Sequence, residues 1–177
     1  VLLADLTLFS GDYRAGERTF DLLTQAAGRA GRGDVPGKVV IQTYKPDNYA
    51  ITAAASQDYR AFYDIEEAYR SLMRYPPEWN MMVIMGTGMD EEQLANIMDR
   101  MYSLIRGKYI NAGHLSVIGP SEPAISKIKD VYRRVLYIKH RDYRMLVDVK
   151  DYVEEWLKEN GENDVSVFFD LNPVNMY

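Results

Sequence analysis

The sequence predicts an α/β protein in two parts, and three observations support this prediction. Residues 1–56 follow the order strand, helix, strand. Residues 57–177 follow, after one helical stretch, the order β-α-β-β-α-β. The chain has 177 residues, of which 47% are hydrophobic, and this is enough apolar material for a real core.

The first part is predicted as a βαβ unit. The apolar run at residues 1–6 predicts a short buried strand, and the β-branched run at residues 38–43 predicts a second strand that Pro46 ends. Between them, residues 17–31 predict a helix because apolar side chains recur every three or four positions. These side chains are Phe20, Leu23, Ala27 and Ala30.

The second part is predicted as a ferredoxin-like domain. Residues 47–74 are mostly helical in pattern and stop before Pro76 and Pro77, and the domain boundary is expected near residue 56. The remaining pattern predicts strands at residues 79–85, 115–118, 131–139 and 165–171, and helices at residues 90–106 and 144–159. This order is the split βαβ, or ferredoxin-like, arrangement.

Composition limits the function classes. The chain has no cysteine and only two histidines, so a disulfide framework and a thiolate metal site are excluded, and we expect no metal site. It contains no apolar run of about 18 residues and no signal-like N-terminus, which favours a cytoplasmic location. The sequence starts at Val1 without an initiator methionine, and we therefore expect a piece of a longer protein.

Basic residues are clustered although the net charge is −5. Residues 127–144 carry seven basic and two acidic side chains. If residues 131–139 form a strand, alternate side chains point to opposite faces, so one face is apolar and the other is mixed. The mixed face and its flanks predict a DNA-binding surface of Lys127, Lys129, Arg133, Tyr137 and Lys139, because phosphates attract cations and bases stack on aromatic rings. The alternative is an ordinary solvated sheet face.

A second basic feature lies on the helix predicted at residues 17–31. Gln25, Arg29 and Arg32 project from the side opposite its apolar side chains. Arginine suits a phosphate ligand because its fixed fork of donors matches phosphate oxygens. The alternative is a solvated helix face. A phosphate-binding P-loop is excluded, since that motif needs glycine at the position of Arg32 and serine or threonine at the position of Val39.

Several segments resemble one protein family. QAAGRAGR at residues 25–32 resembles motif VI, Q-x-x-G-R-x-G-R, of superfamily 2 helicases and translocases. The surrounding stretch, together with IGPSEPAISKIKDVYRR at residues 118–134 and FFDLNP at residues 168–173, resembles the primosomal protein N′ family of replication-restart helicases. Gly11 replaces the usual proline of the family, and Glu78-Trp79 replaces its usual phenylalanine.

The resemblance implies a function for each part. Residues 1–56 would be the last portion of the second RecA-like lobe of an ATP-dependent 3′–5′ DNA helicase that restarts stalled forks and loads the primosome. Arg32 would be the arginine finger, with Arg29 beside it and Gln25 as a polar positioner. ATP, Mg²⁺ and the zinc of the family would be bound mainly by upstream residues, and residues 1–177 alone would not hydrolyse ATP.

Residues 57–177 would be the C-terminal domain of that family, which binds forked or single-stranded DNA and protein partners. The resemblance implies contacts with other primosome proteins and with the acidic tail of the single-stranded-DNA-binding protein. Arg141 and Arg144, near the start of the last predicted helix, are the candidates for the tail.

Two further alternatives remain open from the sequence. A split βαβ sheet with exposed aromatics is also used by RNA-binding and ribosome-associated modules, in which Arg29 and Arg32 would have no role. A purely structural scaffold would bind nothing through the basic strand.

Overall fold

The first region is helical, and its helices pack around the ring of Phe20. The computed structural model describes residues 1–30, 38–109, 111, 113–160 and 164–177. Helix α1, Ala15–Ala30, buries Phe20, whose ring stacks on Phe62 of helix α3, Tyr59–Leu72, at 4.3 Å between centroids. Helix α2, Tyr49–Ser56, completes this core with small and branched side chains, namely Ala50, Ile51, Ala53 and Ala54.

The two strands predicted at residues 1–6 and 38–43 are not formed. The two segments do run side by side, because Gln42 N donates to Val1 O at 2.9 Å and Ala4 N donates to Gln42 O at 3.0 Å. Leu3 between these bonds has a φ of 52°, which interrupts a regular ladder. A parallel pair also needs further strands and covered faces to be stable, and no third strand pairs with these segments among the described residues. The βαβ prediction is corrected here, while the mixed α/β class of the chain is confirmed.

The structural boundary follows α3. The chain divides into two compact units, Val1–Met73 and Arg74–Asn175 with Tyr177. The boundary expected near residue 56 therefore moves to residue 73, because Phe62 ties α3 to the core of the first unit.

The second unit contains the predicted order of elements. They are β1, Asn80–Gly88; α4, Glu91–Tyr109; β2, Ser116–Ser121; β3, Lys127–Ile128; β4, Val131–His140; α5, Tyr143–Asn160; and β5, Val165–Leu171. The long strands lie in the order β2-β4-β1-β5, and each neighbouring pair is antiparallel. The short β3 pairs with β4 and was not predicted. This topology is that of the split βαβ arrangement.

Helices α4 and α5 cover one face of this sheet. Alternate residues of the central strands, including Met82 and Ile84 of β1 and Leu136 and Ile138 of β4, are fully buried against the two helices. Gly86 lets α4 approach closely, since a Cβ at this position would lie 2.6 Å from Met98 Sδ. Met82, Met98 and Met101 fill this core, where their flexible side chains adapt to the space between the sheet and the helices. In the described part of the chain, no helix is long and apolar enough to span a membrane.

Candidate nucleic-acid interface

The face of the sheet opposite the helices is the candidate interface. Its centre is a small buried apolar cluster of Val83 and Met85 from β1 and Val135 from β4. The pairing register places Tyr137 opposite Val83 and Phe168 of β5 opposite Met85. This second face therefore carries aromatic side chains around an apolar centre. We call it the open face.

Arg133 is the cation of the open face. Its register partner is Thr87, one alternation along β1 from Met85. The guanidinium donates from Nη1 to Ile125 O at 3.1 Å, and its Nη2 lies 3.4 Å from Met85 Sδ. These contacts hold the half-buried side chain along the sheet, where its positive charge can meet a phosphate beside the aromatic residues.

Tyr137 and Phe168 are the aromatic residues of the open face. Tyr137 is half-buried, its hydroxyl donates to Tyr177 O at 3.1 Å, and burial raises the pKa of this hydroxyl. The Phe168 side chain is 41% exposed, a large fraction for an apolar ring. Phe168 was not predicted as a site residue, although alternation along residues 165–171 places it with Ser166 and Asp170 on the less apolar side.

Lys127 and Lys129 lie at the end of a hairpin. Lys129 and Asp130 have φ values of 48° and 64°, as expected for the two central residues of a type I′ turn between β3 and β4. Both lysines are exposed. Lys127 pairs with Tyr132, to whose hydroxyl oxygen its Nζ lies at 3.3 Å, and so it sits on the helix side of the sheet. The hairpin therefore lies next to the open face in sequence but contributes Lys127 to the other side.

Lys139 does not have the exposed position that its alternation predicted. Only 5% of the residue is accessible, and its Nζ lies 3.5 Å from the centroid of the Tyr75 ring. Burial, followed by the charge of Arg74, lowers the pKa of Lys139 to about 8. It lies at the end of β4 opposite the hairpin, so the five predicted DNA-binding residues do not form one cluster.

The lowered pKa of Lys139 predicts a pH-dependent stability. Between the folded pKa near 8 and the unfolded value of 10.5, the unfolded chain binds more protons, so stability should rise with pH in this window. Lys139→Met lacks this titrating group. From pH 7.5 to pH 10.5, the free energy of unfolding of the wild type should therefore rise by about 1–3 kcal/mol more than that of Lys139→Met. Urea unfolding followed by tryptophan fluorescence measures this, since Trp79 and Trp156 both lie in the second unit. A constant difference between the two proteins across the window would contradict the assignment.

Arg141 and Arg144 are exposed near the start of α5. The guanidinium of Arg141 lies 5.4 Å from the centroid of the Trp79 ring. Asp142 precedes α5, and its Oδ1 accepts from Arg144 N at 2.9 Å. A carboxylate already satisfies this amide in the first turn of the helix, so an anionic ligand here would depend on the two guanidinium groups.

The predicted motor residues lie on or beyond α1. Gln25 and Arg29 are both exposed, and Arg29 is in the last turn of the helix. Among the described residues, no atom lies within 4 Å of the position that a Cβ of Gly28 would take. Arg32 lies outside the described residues. Among the residues that the structure describes, no group of three or more metal-ligating side chains is found.

Comparison with known proteins identifies relatives of the whole chain. The replication restart protein PriA of Bacillus subtilis is 35% identical over 178 residues, which cover 99% of this chain and 22% of that protein. The corresponding proteins of Chlamydia trachomatis and Synechocystis are 32% and 30% identical, over 100% and 99% of this chain and 23% and 20% of their own length. The chain thus spans about a fifth of the length of these relatives.

Two further comparisons concern the second unit and the fold. A designed protein, Foldit4, aligns over 52% of this chain and 97% of its own length at a TM-score of 0.38 and 16% identity, a similarity too weak to indicate a shared fold. The family model of the primosomal protein N C-terminal domain matches residues 71–174, which coincide closely with the second unit. The chain belongs to the family of the primosomal protein N C-terminal domain.

Proposed function

We propose that this chain is the nucleic-acid-binding end of an ATP-dependent 3′–5′ DNA helicase that restarts stalled replication forks and loads the primosome. The observation that carries the proposal is the open face, on which Arg133, Tyr137 and Phe168 surround an apolar centre while the helices cover the opposite face. Membership of the family and relatives named replication restart proteins support the cellular role.

The chemistry of the open face suits an unpaired strand. Aromatic rings accept bases of any sequence by stacking, and a nearby guanidinium neutralises the phosphate backbone. A sheet face of this kind offers its rings to bases that are already unpaired, as they are at a fork. The acidic chain as a whole repels DNA, so binding should be weak and should depend strongly on salt.

Charge reversal at Arg133 is expected to weaken DNA binding. Arg133→Glu removes a cation and adds an anion beside Tyr137 and Phe168, so the dissociation constant for a forked or single-stranded oligonucleotide should rise by about tenfold at low salt. Fluorescence anisotropy across a salt series measures this, and the variant should show a shallower salt dependence. The matched control is Arg106→Glu, because Arg106 is exposed on α4 on the other side of the sheet.

Equal affinity of Arg133→Glu and wild type would remove Arg133 from the interface. Circular dichroism of both variants checks that the fold is kept, since the Arg133 guanidinium also contacts Ile125 O. A matched oligoribonucleotide forms a second arm of the assay. Preference for RNA over DNA of the same sequence would favour the RNA-binding alternative.

For the first unit, we propose that the arginines serve ATP hydrolysis in the longer protein. Arg29, exposed in the last turn of α1, is available to a ligand, and Arg32 follows three residues later as the finger. Gln25 lies one turn before Arg29 and would position the phosphate or water. The residues present here would contribute donors to the transferred phosphate, and other parts of the helicase would hold ATP, Mg²⁺ and the family's zinc.

For a protein partner, we propose the acidic tail of the single-stranded-DNA-binding protein, bound by Arg141 and Arg144. An acidic peptide titrated into the isotope-labelled chain should shift amide resonances at residues 140–148. Arg144→Glu should weaken binding of the peptide by about 3- to 10-fold. Lys158→Glu, in the last turn of the same helix, is the matched control and should bind as wild type. Shifts clustering elsewhere would exclude this site.

A further inference from the structure

The segment that follows β5 turns back over the open face. Asn172 makes the turn with a φ of 52°. Its backbone N donates to Met81 O at 2.7 Å, and its side-chain Oδ1 accepts from Met81 N at 2.9 Å. Its Nδ2 also donates to Asn80 Oδ1 at 3.1 Å. Three hydrogen bonds to the start of β1 therefore fix the direction in which residues 173–177 leave the sheet.

The turn at Asn172 places Tyr177 on the open face. Its hydroxyl donates to Asp170 Oδ2 at 2.8 Å, and its ring makes an edge contact with Phe168 at 5.9 Å between centroids. Its carbonyl oxygen accepts from the Tyr137 hydroxyl, and its ring packs on the apolar cluster around Val83. Tyr177 therefore contacts both aromatic residues of the open face, with its ring against Phe168 and its carbonyl oxygen on the Tyr137 hydroxyl.

The environment of Tyr177 resembles what an unpaired base would need. The site offers an aromatic neighbour, an apolar floor and one carboxylate acceptor for an N–H at the edge of a base. Arg133 Nη2 lies 3.4 Å from Sδ of Met85, which belongs to the apolar cluster on which Tyr177 packs. A base lying here would thus have its phosphate near a guanidinium.

We propose that Tyr177 occupies a nucleobase subsite of the open face, and that an unpaired base of a single strand takes its place when residues 173–177 of this chain, called the tail below, are displaced. The base stacks on Phe168, and an N–H on its edge replaces the Tyr177 hydroxyl as the donor to Asp170. The inference rests on the proposed function, because it assigns one position within that interface. It adds a competitor carried by the chain itself.

When the tail fills the subsite, only molecules with a free subsite can bind DNA. The apparent affinity is therefore the intrinsic affinity multiplied by the fraction of molecules whose subsite is free. Tyr177→Ala removes the ring and is expected to tighten binding of single-stranded DNA by about 3- to 10-fold. Tyr137→Phe keeps the ring but loses its hydrogen bond to Tyr177 O, so it should tighten binding by a smaller factor. Phe168→Ala removes the stacking surface and should weaken binding.

The test is fluorescence anisotropy of a labelled oligo(dT) of about 10 nucleotides with the 177-residue chain and each variant. Tyr44→Ala is the matched control, since Tyr44 is 81% exposed and lies in the first unit. Inorganic polyphosphate carries the charge without bases, so its binding should be the same for wild type and Tyr177→Ala. Saturation with oligo(dT) should also move the Tyr177 amide resonance of the wild type to a random-coil position.

The outcomes separate this inference from the proposed function. If Phe168→Ala weakens binding while Tyr177→Ala and Tyr137→Phe bind as wild type, the tail does not compete and the inference alone is overturned. Weaker binding by Tyr177→Ala would make Tyr177 a contact rather than a competitor and would also overturn it. If Phe168→Ala and Arg133→Glu both leave the affinity unchanged, the open face is not the interface and both proposals fail.

Discussion

In the helicase proposed above, Arg32→Ala is expected to reduce DNA-stimulated ATP hydrolysis by about 100-fold or more, with little change in nucleotide affinity. A finger arginine meets the nucleotide only when the two motor lobes close, and it then stabilises charge that develops on the transferred phosphate. Contacts with bound ATP in its ground state come mainly from the other lobe. Binding and turnover should therefore separate, which a nucleotide titration and a steady-state ATPase assay with forked DNA measure together.

Two further substitutions make the Arg32 result specific. Arg32→Lys should restore only part of the lost turnover, because lysine keeps the charge but lacks the planar fork that reaches two oxygens. Arg60→Ala is the matched control: Arg60 has an 85% exposed side chain and an ion pair with Asp64 one turn away on α3. Normal DNA-stimulated turnover in Arg32→Ala would contradict the proposal that Arg32 is an arginine finger.

The second unit was predictable because its local and tertiary signals agree. The strands of residues 79–85, 131–139 and 165–171 are apolar or alternating runs bounded by turn residues, and each forms within a few residues of its predicted bounds. Alternation along residues 131–139 also identified the buried side, since Leu136 and Ile138 face the helices. When one face of a sheet is buried, a period of two fixes both the strand and its orientation.

The first unit was less predictable because its apolar runs join no sheet within the part of the chain that the structure describes. Residues 1–6 and 38–43 have strand-like composition, yet pairing depends on neighbouring strands, which composition does not encode. Buried Asp5 shows what local pattern misses: it accepts from Tyr44 N at 2.8 Å and from the Thr43 hydroxyl, and these bonds lower the pKa of its carboxyl group. A single polar side chain within an apolar run thus holds a loop in place through its hydrogen bonds.

The candidate site was predicted in part. Arg133 and Tyr137 lie on the open face, as alternation requires, but Lys139 is buried although it shares their parity. The Tyr75 ring lies against Lys139 Nζ, and Tyr75 is distant in sequence. The alternation of one strand cannot predict such a contact. The same reason explains why Tyr177 was missed, since only the turn at Asn172 brings it onto the sheet.

A buried ion pair in the first unit predicts a second large effect, which is a loss of stability when its carboxylate is removed. Glu66 of α3 is 6% exposed, and its Oε1 accepts from Arg70 Nε at 2.7 Å. Its Oε2 accepts from the Tyr49 hydroxyl at 2.5 Å, while Arg70 Nη2 also donates to Glu17 of α1 at 2.7 Å. Gly16 lies beside this group, and a Cβ there would come within 2.8 Å of Glu66 Oε2. One carboxylate thus links α2 and α3, and Arg70 extends the connection to α1.

Glu66→Ala is expected to lower the stability of the first unit by about 2–4 kcal/mol, since it leaves a largely buried guanidinium with one carboxylate and a half-buried hydroxyl without its acceptor. Amide hydrogen exchange at α1, α2 and α3 measures this directly, because both tryptophans lie in the second unit and do not report on the first. Glu67→Ala is the matched control. The neighbouring Glu67 is exposed and its Oε1 accepts from the Tyr63 hydroxyl at 3.2 Å, so its loss should change stability by less than about 0.5 kcal/mol. Equal exchange in the two variants would mean that the Glu66 carboxylate adds no net stability, as happens when the desolvation of a buried pair offsets its attraction.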